Sequence, residues 1–249
     1  MKKKLLLVIA LCLFSTSGYT GWLIEKGPQK DKLAIYWKMD GNGITGDTLK
    51  DQKGSNNAKI FGAELTPEGL KFDGVNDYID CGNPPELNFG TEDFTIGYWI
   101  KSSEPVKGPL FDKKENMHRK RVLIRFSEGK PHFNVEHTAT KTDLGYAYMT
   151  GTTMLEPDKW YHLMCVADRL KKHPLIYVNG VLEDVAVTTQ GSWKRTVSSK
   201  ANAYLGKSKY YSKTSYFNGT MSEVSVWKGV ALTADEVKTI YNRDKENFK

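Results

Sequence analysis

Residues 69–100, GLKFDGVNDYIDCGNPPELNFGTEDFTIGYWI, set the tightest limit on what this chain can fold into. They read as a strand, a tight turn at Gly74–Asn76, a second strand, a loop, and a third strand with Phe94, Ile96, Tyr98 and Ile100 in alternate positions. A hydrophobic period of two belongs to extended chain, and it predicts one buried face and one free face. Further strands are predicted at residues 33–39, 121–126, 131–136, 144–149, 160–168, 174–179, 181–187, 202–206 and 217–227, punctuated by Gly, Asn, Asp and Pro. Ser127-Glu128-Gly129-Lys130 and Asn179-Gly180 carry tight-hairpin chemistry. One helix is predicted, opening after Leu232 with a Thr233-x-x-Glu236 capping box and running through Val237, Ile240 and Tyr241.

Several phrases together resemble laminin-G-like domains of the concanavalin A type. They are L-x-F-D-G-x-x-D-Y-I from Leu70, D-F-T-I-x-x-W-I from Asp93, D-K-W-Y-H-L at 158–163, L-I-Y-V-N-G-V at 175–181, Y-L-G-K at 204–207 and the run 217–237. They occur in the family's order and cover about residues 33–243. The resemblance implies an all-β fold, a two-sheet antiparallel jelly-roll sandwich with one short C-terminal helix, used mostly as a ligand-binding scaffold. Pentraxins share the layout.

Residues 1–20 have a basic start and an apolar run from Leu5 to Phe14, the form of a secretory signal peptide cut near Ser17 or Gly18. An uncleaved N-terminal anchor is the alternative, and the one route to a membrane. Residues 21–32 read as a polar lead-in and 33–249 as one domain. The setting implied is extracellular or the cell envelope. A formal net charge of +7 favours acidic partners. The basic residues are scattered, with modest clusters at Lys113–Lys114, His118–Arg121 and Lys207–Lys213, and no nucleic-acid-binding motif is present. Cys81 and Cys165 are either a disulfide or two buried thiols.

The pentraxin and laminin-G resemblance implies a rim calcium, but Arg119, Lys120 and Arg121 and the run Lys207–Tyr211 occupy the matching positions, where cations repel it. A structural Ca²⁺ is the cofactor expectation, held by Asp40, Asp73 and Glu223 where the first and last strands lie side by side. Lys207, Lys209, Tyr210, Tyr211 and Lys213 share a loop suited to an acidic glycan, with stacking faces and cations. In strand 131–136, His132, Asn134 and Glu136 form a polar comb on one face, and Tyr146 and Tyr148 share a face of the next strand. Counting back from the hairpin loop places Arg121 opposite Glu136 and Arg125 opposite His132, so a cross-strand ion pair at Arg121–Glu136 competes with the ligand reading. His132 and Glu136 lie about 13 Å apart along the strand, too far to imitate paired glycosidase carboxylates.

The functional expectation is non-catalytic carbohydrate binding, with acidic glycan as the ligand. The alternative is a structural or adhesive component whose partner is a surface protein. A polysaccharide lyase or hydrolase comes third.

Overall fold

A computed structural model describes residues 17–104, 106–115, 119–138, 144–210 and 213–249. Most of the apolar N-terminal segment, with Cys12, therefore lies outside the described residues, as do His118 and Tyr211. After a helix α1 (Ser17–Glu25), the first half runs β1 (Leu33–Lys38), β2 (Ile44–Thr45), β3 (Thr48–Leu49), β4 (Ala58–Phe61), β5 (Glu64–Thr66), β6 (Gly69–Asp73), β7 (Tyr78–Asp80), β8 (Phe94–Lys101), β9 (Gly108–Glu115) and β10 (Arg119–Ser127). The second half runs β11 (Lys130–Thr138), β12 (Leu144–Gly151), β13 (Tyr161–Ala167), β14 (Leu175–Val178), β15 (Val181–Leu182), β16 (Val185–Gln190), β17 (Ala203–Leu205), β18 (Lys207–Tyr210), β19 (Lys213–Tyr216) and β20 (Asn218–Lys228). Helix α2 (Ala234–Asp244) follows.

Two antiparallel sheets face each other. The back sheet is ordered β15-β14-β13-β8-β20-β6-β5, and β1 also pairs with β20. The front sheet is ordered β16-β12-β11-β10-β9-β17-β7-β4-β3-β2. The fold is the two-sheet jelly-roll sandwich that the laminin-G-like resemblance implies. Its hairpins form where the turn chemistry places them: Glu128 and Gly129 take φ of 54° and 75°, Asn179 and Gly180 take 50° and 77°, the left-handed pair a two-residue turn requires. The core between the sheets packs Phe94, Ile96, Tyr98 and Ile100 of β8 with Val122, Ile124, Phe133, Val135 and Met149 from the front.

Strand β8 departs from the half-buried reading. Seven of its eight residues are buried, so both faces are covered. Its outward face and that of β13 lie under a second apolar cluster, in which Leu23 of α1 and Val237 and Ile240 of α2 join Tyr36, Met164, Tyr177 and Trp227. Each such side chain contributes about 1.5–3 kcal/mol on burial. The stretch read as a polar lead-in therefore holds a packed helix. Residues 17–25 form it because Trp22, Leu23 and Ile24 find an apolar floor. Cys81 and Cys165 are free and buried.

Candidate functional site

In the middle of the front sheet side chains alternate inward and outward. Val122 and Ile124, Phe133 and Val135, and Ala147 and Met149 enter the core. Their neighbours turn outward, and the strand register aligns them in three rows: Arg125–His132–Thr150, Leu123–Asn134–Tyr148 and Arg121–Glu136–Tyr146. The comb on β11 and the tyrosines of β12 thus meet on one face. Tyr146 and Tyr148 stack with ring centroids 4.4 Å apart.

A wall stands over one side of these rows. The run from Lys207 to Lys213 was read from sequence as a loop; residues 207–210 and 213–216 pair as two antiparallel strands, β18 and β19. Their Ser208, Thr214, Ser215 and Tyr216, with Gly74 and Val75 of the β6–β7 turn, enclose a cleft of about 860 Å³. Asn134, Glu136, Tyr148, Leu123 and Arg125 line its floor, and Lys107 and Lys114 add two more cations. Glu136 is the one carboxylate among the described residues that line it.

Arg121 ties wall to floor. Its Nε and Nη2 donate to Asp112 Oδ1 and Oδ2 at 2.9 and 3.0 Å, and Nη2 also donates to Ser208 Oγ at 2.9 Å. The two segments matched to the pentraxin calcium rim are therefore adjacent, joined through this guanidinium. The hairpin register places Arg121 opposite Glu136 as counted, and the fork of Arg121 grips Asp112 of β9. Glu136 accepts from the Tyr148 phenol, and burial, followed by that carboxylate, raises the phenol's pKa.

Arg125 differs from Arg121. No acid of the described residues pairs with it; burial and then the neighbouring Arg121 charge lower its pKa. Asn134 Oδ1 is buried in the floor without a hydrogen-bond partner. Among the described residues the cleft lining thus offers one cation paired with no acid and one amide oxygen that no donor reaches.

The other sequence-derived residues fall elsewhere. The Lys207 ammonium lies 3.7 Å from the Tyr78 ring centroid and 4.9 Å from that of Tyr204, a cation–π arrangement outside the cleft. Lys209 is exposed on the hairpin, and Tyr210 pairs through its backbone with Lys213. Of the calcium set, β1 does lie beside β20, with Lys38 opposite Glu223. Asp40 spends its oxygens on Lys38 Nζ at 2.9 Å and on the Asn42 and Gly43 amides. Asp73 sits opposite Asn218, about 16 Å along β20 from Glu223 at ~3.3 Å per residue, and accepts from the Val75 and Asn76 amides. These three carboxylates do not share a coordination sphere, and among the described residues no group of three or more His, Cys, Asp or Glu side chains is placed to hold a metal. The sequence reading missed Arg125, Leu123, Lys107 and Lys114 as cleft residues. The register of β10 against β11, already fixed by the Glu128-Gly129 turn, was the signal that could have shown the first two.

A sequence profile of the concanavalin A-like lectin/glucanases superfamily matches residues 73–238, more than half of the chain. The chain belongs to this superfamily. Curated protein sequences give no match. Among solved structures the superfamily fold recurs in the Trypanosoma rangeli sialidase in complex with sialic acid, at a TM-score of 0.62 and 17% identity, covering 87% of this chain and 33% of that one. It recurs in the binding domain of botulinum neurotoxin DC in complex with rat synaptotagmin II, at 0.59 and 16%, covering 85% and 52%. This chain spans about a third of the sialidase and half of the toxin fragment, and at these identities the likeness is one of fold.

Proposed function

We propose that this superfamily member recognises acidic carbohydrate non-catalytically, in an extracellular or envelope setting, through the cleft between the β18–β19 hairpin and the front sheet. The observation that carries the reading is Arg125: among the described residues a cation without an acidic partner, in a polar cleft whose lining also holds the unsatisfied Asn134 oxygen. Lys107 and Lys114 line the cleft as well, against Glu136 as the one carboxylate among the described lining residues, so an anionic group is favoured over a neutral one. Asn134, Glu136 and Tyr148 supply hydrogen-bonding groups to hydroxyls, and Leu123 gives an apolar spot on the floor. The sialidase neighbour binds an acidic sugar, which accords with the reading.

A glycan array comparing acidic with neutral oligosaccharides tests it. Acidic glycans bind and Arg125→Ala weakens them by about 10- to 100-fold, the loss of one charged hydrogen bond at about 1.5–3 kcal/mol. Thermal stability stays within about 0.5 kcal/mol. Equal binding of neutral and acidic glycans, or no binding at all, defeats it.

A second reading, protein docking, has its own observation. At the end of the sandwich where β15 and β16 form the sheet edges, Val181, Leu182 and Val187 are 66%, 50% and 39% exposed. Open edges of uncharged apolar residues favour pairing with another strand. Stable oligomers, or capture of a protein partner abolished by Val187→Lys, would favour that role over the glycan one.

A further inference from the structure

His132 stands beside Arg125 in the first row of the cleft-side face. On its other flank, Thr150 Oγ1 of β12 lies 3.0 Å from its Nδ1. The charged groups that reach it are Arg125 from β10 and Glu128 from the β10–β11 turn; Thr150 is neutral. The hydroxyl accepts from a protonated Nδ1 and donates to a bare one, so this hydrogen bond survives in either charge state. Burial first, and Arg125 next, hold the imidazole below its ordinary pKa, which keeps it neutral in the free protein at neutral pH.

An anion seated on Arg125 changes this balance. It cancels the charge that disfavours the imidazolium and adds a negative charge next to it. We propose that binding an acidic saccharide and protonating His132 are coupled, so that a further cation forms next to Arg125 and the protein tightens on its ligand as the medium acidifies. This inference rests on the acidic-carbohydrate reading of the cleft. Coupling between two bound species is reciprocal: if the anion raises the proton affinity of His132, the proton raises the affinity for the anion by the same factor. The sign follows. Affinity climbs as pH falls through the pKa of His132 in the complex, and it levels off once the imidazole is charged in the free protein as well.

The test uses the full domain and a sulfated dextran oligosaccharide, whose sulfates stay ionised throughout the titration, so the ligand contributes no pH dependence. Calorimetry from about pH 8 down to about pH 5 spans the histidine range. The wild-type protein binds about tenfold more tightly at the acid end, the ratio given by a one-unit rise in pKa on binding. Titrations repeated in two buffers of different ionisation heat show proton uptake by the wild type near pH 6 and none by His132→Gln. The variant binds with an affinity that does not change with pH, whatever its level. Wild-type affinity independent of pH, or an unaltered slope in His132→Gln, overturns the coupling and leaves the cleft reading standing. Absence of binding at every pH overturns both.

Discussion

Gly108, at the start of β9, has φ of +99°, and a Cβ there would lie 2.5 Å from the carbonyl oxygen of Tyr216. Both facts require glycine: the conformation is strained for other residues, and the near atom is backbone that cannot swing away. The close approach is what seats β19 against the sheet and gives the cleft its wall. Gly108→Ala is expected to cost about 1–3 kcal/mol in chemical denaturation and to weaken acidic-glycan binding more than it loosens the core; unchanged binding would show that the wall is not held there. Residue chemistry also explains what the sequence hid nearby. Asp112-Lys113-Lys114 reads as a solvated polar run, yet Lys113 is 2% exposed. Its ammonium donates to Asn83 and to the Ala201 carbonyl, and burial lowers its pKa to about 8. The partners lie 30 and 88 residues away, so no local pattern announces them. Lys207 was misplaced for the same reason, its aromatic partner Tyr78 being remote in the chain.

The start of helix α2 was legible because its signals are local. Thr233 Oγ1 accepts from the Glu236 amide and the Glu236 carboxylate accepts from the Thr233 amide, closing the capping box read from sequence. Thr233→Ala is expected to cost about 1 kcal/mol in thermal unfolding. The other end of α2 carries a feature no local pattern shows. Asp244 is buried against Glu223 of β20, and desolvation, then Glu223, push its pKa up to about 8. A carboxyl whose pKa is raised on folding stabilises the protonated native state, so stability is lost as pH rises from its ordinary 3.8 through about 8. Asp244→Asn therefore raises the melting temperature more at alkaline pH than at acidic pH; an equal shift at both would exclude the linkage. The slope removed is at most about 1.4 kcal/mol per pH unit, that of one proton. Strands followed the same division. β10 and β11 were readable because each keeps period two beside a left-handed turn, and β12 because it keeps period two, whereas β9 was missed behind Gly108-Pro109 and its buried charges.

Across the whole molecule, Asp244 is opposed by His162. This imidazole is buried among Trp99 and Tyr241, and desolvation lowers its pKa to about 3. A base depressed on folding costs stability as pH falls from its ordinary 6.5 through about 3. Through the interval between the ordinary values of 3.8 and 6.5 the two groups act in opposite directions, so their joint contribution is flat there and falls on both sides. Denaturant midpoints measured against pH should show a flatter acid limb in His162→Phe and a flatter alkaline limb in Asp244→Asn than in the wild type. At this scale the sandwich and the pairing of first with last strand were legible from the order of the phrases, while the covering of the back sheet by α1 and α2 was not, since alternation in β8 reports one face only. The β1–β20 pairing also sets a timetable for making the protein. Leu33 meets Trp227 and Ile35 meets Val226, partners about 190 residues apart, so at about 5–20 residues per second on the ribosome the segment LAIYWK waits roughly 10–40 s for its edge to be synthesised. Until then its tryptophan, tyrosine and isoleucine stay uncovered, and a holding chaperone or prompt passage across a membrane in the unfolded state would spare the nascent chain from clumping.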